Sequence, residues 1–251
     1  MDFPIQLARP RSLLAFAVVA ALVITGAVWS ATGSVGRQVS AQGILTHAEG
    51  SIYLQSTYEG QITGVFVGTG ATFPRDTPLF TIQDGARQFT IRSNTGGRIV
   101  NMLSKVGQVV TRGTQLAVIE RIDEQSDPLV AMLYLPQTSA GLIHQDSLVD
   151  LTVSSAPSSQ FGVLRGKVQS ISQFPETHQQ IADFLGDEQL AKRFAAQGQP
   201  IGIVVRLLTD RTASGFTWST HEGPPFQIDS RTLVSAAIHL APVRPVDWVV
   251  S

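Results

Sequence analysis

Gly60–Ile82 (GQITGVFVGTGATFPRDTPLFTI) and Gly97–Ile119 (GRIVNMLSKVGQVVTRGTQLAVI) align without a gap at an offset of 37 residues. Seven of the 23 aligned positions are identical: Gly60/Gly97, Ile62/Ile99, Gly70/Gly107, Arg75/Arg112, Thr77/Thr114, Leu79/Leu116 and Ile82/Ile119. Apolar character is shared at Val65/Met102, Phe66/Leu103 and Phe73/Val110. This is an internal repeat. Ile62–Val67 reads as a short strand, and Leu79–Ile82 and Leu116–Ile119 read as a second strand in each half. Gly68-Thr69-Gly70 and Lys105-Val106-Gly107 read as tight turns in which glycine supplies positive φ. One half is too small to bury a face. Two halves packed by pseudo-twofold symmetry make a small β-sandwich, expected over residues 42–120.

Upstream of the repeat, Leu13–Ala31 (LLAFAVVAALVITGAVWSA) is a run of 19 residues without a charge. As a helix it is about 28 Å long, close to a hydrocarbon core of roughly 30 Å. Arg9 and Arg11 precede it, Trp29 sits at its far end, and only Arg37 follows closely. The positive-inside bias makes residues 1–12 a cytoplasmic tail, 13–31 a transmembrane helix and the remainder extracytoplasmic. A cleaved signal peptide has a shorter apolar run and a small-x-small site. Val28-Trp29-Ser30 is a poor one.

Downstream, the pattern changes. Leu129–Leu135 is a strand-like apolar run, and Ser147–Val153 alternates with period two. Phe161–Ile171 continues the alternation, with Val163, Val168 and Ile171 as the expected inward residues, and Ile201–Leu208 is another strand. Short strands separated by turn residues predict a small β-barrel over 127–210. A helical insertion at 176–198 interrupts it. Ile181, Phe184 and Leu185 share one helical face, and Gly186 ends that helix. Asp187 caps a second helix carrying Leu190, Lys192 and Phe194. Residues 211–251 are expected to form a C-terminal β segment.

Composition excludes several chemistries. There is no cysteine, so disulfide scaffolds, zinc–cysteine sites, iron–sulfur clusters and thiol catalysis are out. The net charge of −1 gives no global basic field for nucleic acid. The five histidines, His47, His144, His178, His221 and His239, are scattered, and none forms an H-E-x-x-H or H-x-H pair, so no metal site is expected. Gly68-Thr69-Gly70 lacks the G-K-[ST] of a phosphate loop, and no G-x-S-x-G elbow occurs. Ser104-Lys105 lies in the turn of the second half-motif, and no catalytic residue is expected.

The half-motif G-x-[IV]-x7-G-x-x-[VF]-x5-L resembles that of biotinyl/lipoyl carrier domains, carried here by Gly60, Ile62, Gly70, Leu79 and by Gly97, Ile99, Gly107, Leu116. In the carriers, the prosthetic-group lysine sits between the halves. Here that segment is Gln83-Asp84-Gly85-Ala86-Arg87-Gln88, with Ala86 at the lysine position. The chain's three lysines, Lys105, Lys167 and Lys192, all lie downstream. The resemblance thus implies carrier architecture without its cofactor.

A lipoyl-like domain behind one span, with β structure after it, resembles membrane fusion proteins (periplasmic adaptors) of the haemolysin-secretion D type. Those commonly insert a long helical hairpin between the half-motifs, whereas the 14 residues 83–96 are too few for two helices of useful reach. The tail adds a narrower likeness. Thr212–Ser219 (TASGFTWS), Glu222-Gly223-Pro224-Pro225, Thr232–Ala236 (TLVSA) and Arg244–Val249 (RPVDWV) are similar to the membrane-proximal end of adaptors of NHLM-type microcin (bacteriocin) export systems. The resemblance implies a single-pass inner-membrane protein that is non-enzymatic, self-associates and docks on a peptidase-containing ABC transporter. Asp84, Arg87, Trp218 and Trp248 are the candidate partner contacts. Two other readings stay open: an adaptor of drug or metal efflux, and an anchored envelope hydrolase or binding domain built around a deep pocket.

Overall fold

The computed structural model describes residues 16–25, 36–122 and 128–241. Residues 16–25 form helix α1, on which Phe16, Val18, Val19, Leu22, Val23 and Ile24 are all exposed. Among the described residues no helix is long and apolar enough to cross a membrane. The rest of the span expected over 13–31 lies outside the described residues.

Residues 39–238 form one compact unit holding a sandwich and a barrel. The sandwich strands are β2 (Ser51–Gln55), β3 (Gly60–Val65), β4 (Thr72–Phe73), β5 (Pro78–Asp84), β6 (Arg87–Arg92), β7 (Gly97–Met102), β8 (Val109–Val110) and β9 (Gln115–Arg121). They make two four-stranded sheets, ordered β2-β9-β7-β4 and β6-β5-β3-β8. Each sheet borrows one short strand from the other half. Thr72 and Phe73 pair with Arg98 and Gly97, while Val109 and Val110 pair with Gln61 and Gly60. These two ladders are equivalent under the 37-residue offset. So are the registers Ile62↔Ile82 and Ile99↔Ile119, each followed by a bulge at the next position. Neither half closes without the other, which is why the repeat occurs as a pair.

The repeat also reaches further back than its side chains suggest. Pairs Ile52↔Ile119 and Leu54↔Ala117 in one half match Phe89↔Ile82 and Ile91↔Phe80 in the other, with bulges at corresponding places. Ser56 and Ser93 close equivalent turns, each hydroxyl donating to the carbonyl two residues on. Ile62, Leu79, Phe80, Ile82, Ile99, Leu116 and Ile119 fill the shared core and are all but inaccessible.

The closed barrel runs β1-β10-β13-β12-β11-β14. Its strands are β1 (Gln38–His47), β10 (Leu129–Leu135), β11 (Leu148–Val153), β12 (Leu164–Ile171), β13 (Ile201–Leu207) and β14 (Leu233–His239). Short helices α2 (Gln137–Ala140) and α3 (Ser158–Phe161) flank β11. The sequence boundaries are redrawn here. β1, which straddles the start expected for the sandwich at residue 42, pairs with β10 and belongs to the barrel. β14, expected in a separate segment over 211–251, pairs with β11. Alternation within a strand shows that it is half-buried but not which strand it joins.

Inward residues of β12 also shift phase. Leu164, Gly166 and Val168 are buried, whereas Val163 precedes the strand and Ile171 follows a bulge between Val168 and Ser170. β10 is apolar throughout because its two faces have different apolar partners. Ala131 and Leu133 are fully buried in the barrel strand, while Tyr134 and Met132 pack against the helical insertion.

That insertion is helix α4 (His178–Leu185) and helix α5 (Glu188–Phe194). Thr177 and Gln180 form a capping box at the start of α4. Gly186 ends α4 in the left-handed region at φ 63°. The Asp187 carboxylate then accepts from the amides of Gln189 and Leu190, both at 3.0 Å, and starts α5. Ile181, Ala182, Leu185, Ala191 and Phe194 form the buried face, set against Ile44 and Tyr134 of the barrel wall.

Candidate functional site

At the point where a carrier domain would bear its cofactor, β5 turns into β6 through Gly85 and Ala86 alone. Asp84 lies opposite Arg87 in the ladder. Gly85 has φ 58° and is the first of two loop positions, as a two-residue hairpin turn of this strand twist requires. Ala86 is exposed and its methyl carries no nucleophile. The arrangement therefore presents a charged β-turn, with no amine to acylate and no helical extension. Asp84 and Arg87 stand at its two shoulders, exposed to solvent.

The half-motif residues are structural in a legible way. A Cβ on Gly97 would fall 2.6 Å from the Glu120 carbonyl oxygen, and one on Gly60 would overlap the equivalent carbonyl of Gln83. Gly70 and Gly107 have open space around them but φ of 84° and 89°, so backbone conformation selects glycine there. Each then donates across the pseudo-twofold axis: Gly70 N–H to the Ile99 carbonyl and Gly107 N–H to the Ile62 carbonyl, both at 2.7 Å.

The equivalent position in the other half, where β2 begins and β9 ends, is built for attachment. Glu120 is fully buried; its carboxylate accepts from Ser230 Oγ at 2.7 Å and from Thr46 Oγ1 at 3.5 Å. Arg121 Nη2 donates to the Glu49 carbonyl at 2.9 Å and lies 3.0 Å from the Glu49 carboxylate. Arg231 fastens the helices, donating to the Leu185 carbonyl at 2.7 Å and meeting Asp187 at 3.4 Å. Phe184 rests against Gly50, and the Gly186 turn lies on Val118. Sequence reading missed this joint. Glu120 is an unremarkable acid in sequence, and its partners come from residues 74 and 110 positions away.

An open groove runs beside the joint, lined by His47, Arg98, Leu129, Phe216 and Ser230. Among the described residues no three His, Asp or Glu side chains converge as metal ligands. His178 faces Glu188 at 3.4 Å. Ser104 Oγ is buried and donates to the Gln115 carbonyl at 3.1 Å. Trp218 is buried, with its indole N–H donating to Ser214 Oγ at 2.9 Å and its ring against Gly223. It is a packing residue of the barrel, and the structure corrects its candidacy as a partner contact. Trp248 lies outside the described residues.

No protein-family profile matches the chain, and no curated sequence is significantly similar to it. Solved structures do match its fold. ZneB from Cupriavidus metallidurans aligns with a TM-score of 0.54 at 9% identity, over 82% of this chain and 100% of that one. MacA from Actinobacillus actinomycetemcomitans aligns with a TM-score of 0.56 at 11% identity, over 85% and 81%. A MacA–MexA chimera carrying the Pseudomonas aeruginosa MexA α-hairpin domain gives 0.56 at 10%, over 84% of each chain. At these identities the likeness is one of fold.

Proposed function

We propose that the chain is a membrane-anchored, extracytoplasmic adaptor of an export system, structural rather than catalytic. Within that class we infer that it serves an inner-membrane ABC transporter, a peptidase-containing one that exports leader-bearing peptides of the bacteriocin type. The observation that carries the reading is a lipoyl-like sandwich with Ala86 at the carrier position, fastened through Glu120 and the helical insertion to a β-barrel. Such a domain has carrier geometry and no group to carry. What it retains is a rigid two-domain shape and surfaces for assembly. The exposed apolar side chains of α1 support an anchor, because isolated exposure of so many large apolar groups in water is unfavourable. An anchor holds the outer domains at high effective concentration beside a membrane partner. The short β5–β6 turn supports an adaptor that acts close to its transporter rather than one that reaches across a wide gap. The tail motifs support the peptide-export branch.

Affinity purification of the full chain in mild detergent tests the reading. Co-purification of a peptidase-bearing ABC transporter, together with loss of peptide export on deletion, is the expected result. Recovery of a drug or metal transporter instead would move the chain to the efflux branch. Recovery of no transporter, with normal export after deletion, would overturn the adaptor role.

A further inference from the structure

The helical insertion meets the barrel at a spot with unusual chemistry. Tyr134 on β10 is the register partner of Gly202 on β13. Gly202 leaves a notch in the barrel wall, and the Glu176 carboxyl group lies directly over it, where any Cβ on residue 202 would overlap Oε1. The Glu176 amide donates to the Pro200 carbonyl at 2.8 Å, which pins this residue to the barrel one position before the Thr177 cap of α4. Beside it, the Tyr134 ring stacks on Phe194 of α5, with centroids 4.9 Å apart and planes 24° from parallel. The Tyr134 hydroxyl is buried and makes no hydrogen bond. Both ends of the cap are therefore fixed at one place, and that place holds a half-buried carboxyl group next to an orphaned hydroxyl.

We propose that Glu176, seated on Gly202 beside Tyr134, is a proton-operated latch that fastens the α4–α5 cap to the barrel wall. A neutral carboxyl group loses less than an ionised one on leaving water for the half-buried seat over Gly202. An ionised one loses water there without gaining a cation. Burial accordingly pushes the Glu176 carboxyl above its ordinary range. Burial, and then the Glu176 charge, push the Tyr134 phenol far up, so it stays neutral. Tyr134 is the titratable neighbour from β10, and Gly202 offers none from β13. On the cap, His178 is turned to Glu188, and Lys192 and Arg193 are exposed. The docked state binds the proton more tightly than the undocked state. Fastening is thus complete below the ordinary carboxyl range and is lost as pH rises through the raised value. Because the same cap lies on β2 and Val118, the latch also sets how firmly the sandwich is tied to the barrel.

Amide hydrogen exchange on the full chain in detergent micelles, corrected for intrinsic rates, tests this between pH 4 and pH 8. Peptides across α4 and α5 are expected to be several-fold more protected at pH 4, with β11 and β12 unchanged. Glu176→Gln should hold the acid level of protection at both pH values. Gly202→Ala, which expels the carboxyl group, should hold the low level at both. A flat wild-type profile overturns the proposal, as does a Glu176→Gln variant that keeps the wild-type pH dependence. A Glu176→Gln variant fixed at the low level overturns it too.

Discussion

The two halves of the sandwich share a backbone and differ in what covers them. Register, bulges and the exchanged short strands coincide under the 37-residue offset. The exteriors have diverged. Val118 and Glu120 of β9 are buried under the helical cap and the barrel loop that carries Ser230. Of their counterparts on β5, Gln83 is exposed, while Thr81 is also buried, near Phe66 and Gly64 of its own half and with no helical cap over it. Symmetry is therefore held by inner-face residues and a few glycines, while the outer faces are free to specialise. One half became an attachment face and the other kept a bare turn at Gly85-Ala86.

The comparison can be broken most forcefully in the core. Ile62→Ala and Ile99→Ala should each cost about 2–5 kcal/mol, by lost transfer energy and the cavity left behind. Both residues are buried in equivalent positions, so the two losses should agree within about 1 kcal/mol, by a margin well under the usual spread for such sites. Denaturant unfolding of each variant checks this, and widely unequal losses would show that the halves are mechanically distinct.

Glu120→Ala against Gln83→Ala sharpens the contrast outside the core. Glu120→Ala leaves the Ser230 and Thr46 hydroxyls without their acceptor and should cost about 1–3 kcal/mol. Gln83→Ala, on the open face, should stay within about 0.5 kcal/mol of wild type. Equal costs in the same unfolding experiment would remove the distinction between docked and open halves. Gly70→Ala and Gly107→Ala come next. Both have open surroundings and positive φ, so each should lose about 1–2 kcal/mol from backbone strain alone. The smallest effect is expected for Ala86→Lys. That exposed turn position should accept the side chain with a change under about 0.5 kcal/mol in a thermal melt.

Much of the sandwich was legible because its constraints are local and occur twice. Gly60, Gly70 and their partners mark fixed turns, and the apolar positions around them follow period two. The same holds for Gly186 and Asp187, whose roles as helix stop and cap follow from conformational freedom and a carboxylate within reach of the next amides. The extension of the repeat to β2 and β6 was not legible. Of its side chains, Ser56/Ser93 is the identical pair, and the equivalence lies in backbone pairing that many sequences satisfy. Trp218 failed as a surface candidate for a similar reason. A tryptophan among turn residues looks exposed until Ser214 and Gly223 fold over it.

The sequence by itself determined the doubled half-motif, the turn that replaces a carrier lysine, the apolar N-terminal run and the two short helices. Each depends on residues close together along the chain. Only the tertiary structure decided that β1 and β14 close one barrel, that Glu120 is the buried acid of the joint, and that Glu176 lies over Gly202 beside Tyr134. Those outcomes depend on which surfaces meet after long loops close. A strand's own alternation carries the need for a partner but not the partner's address.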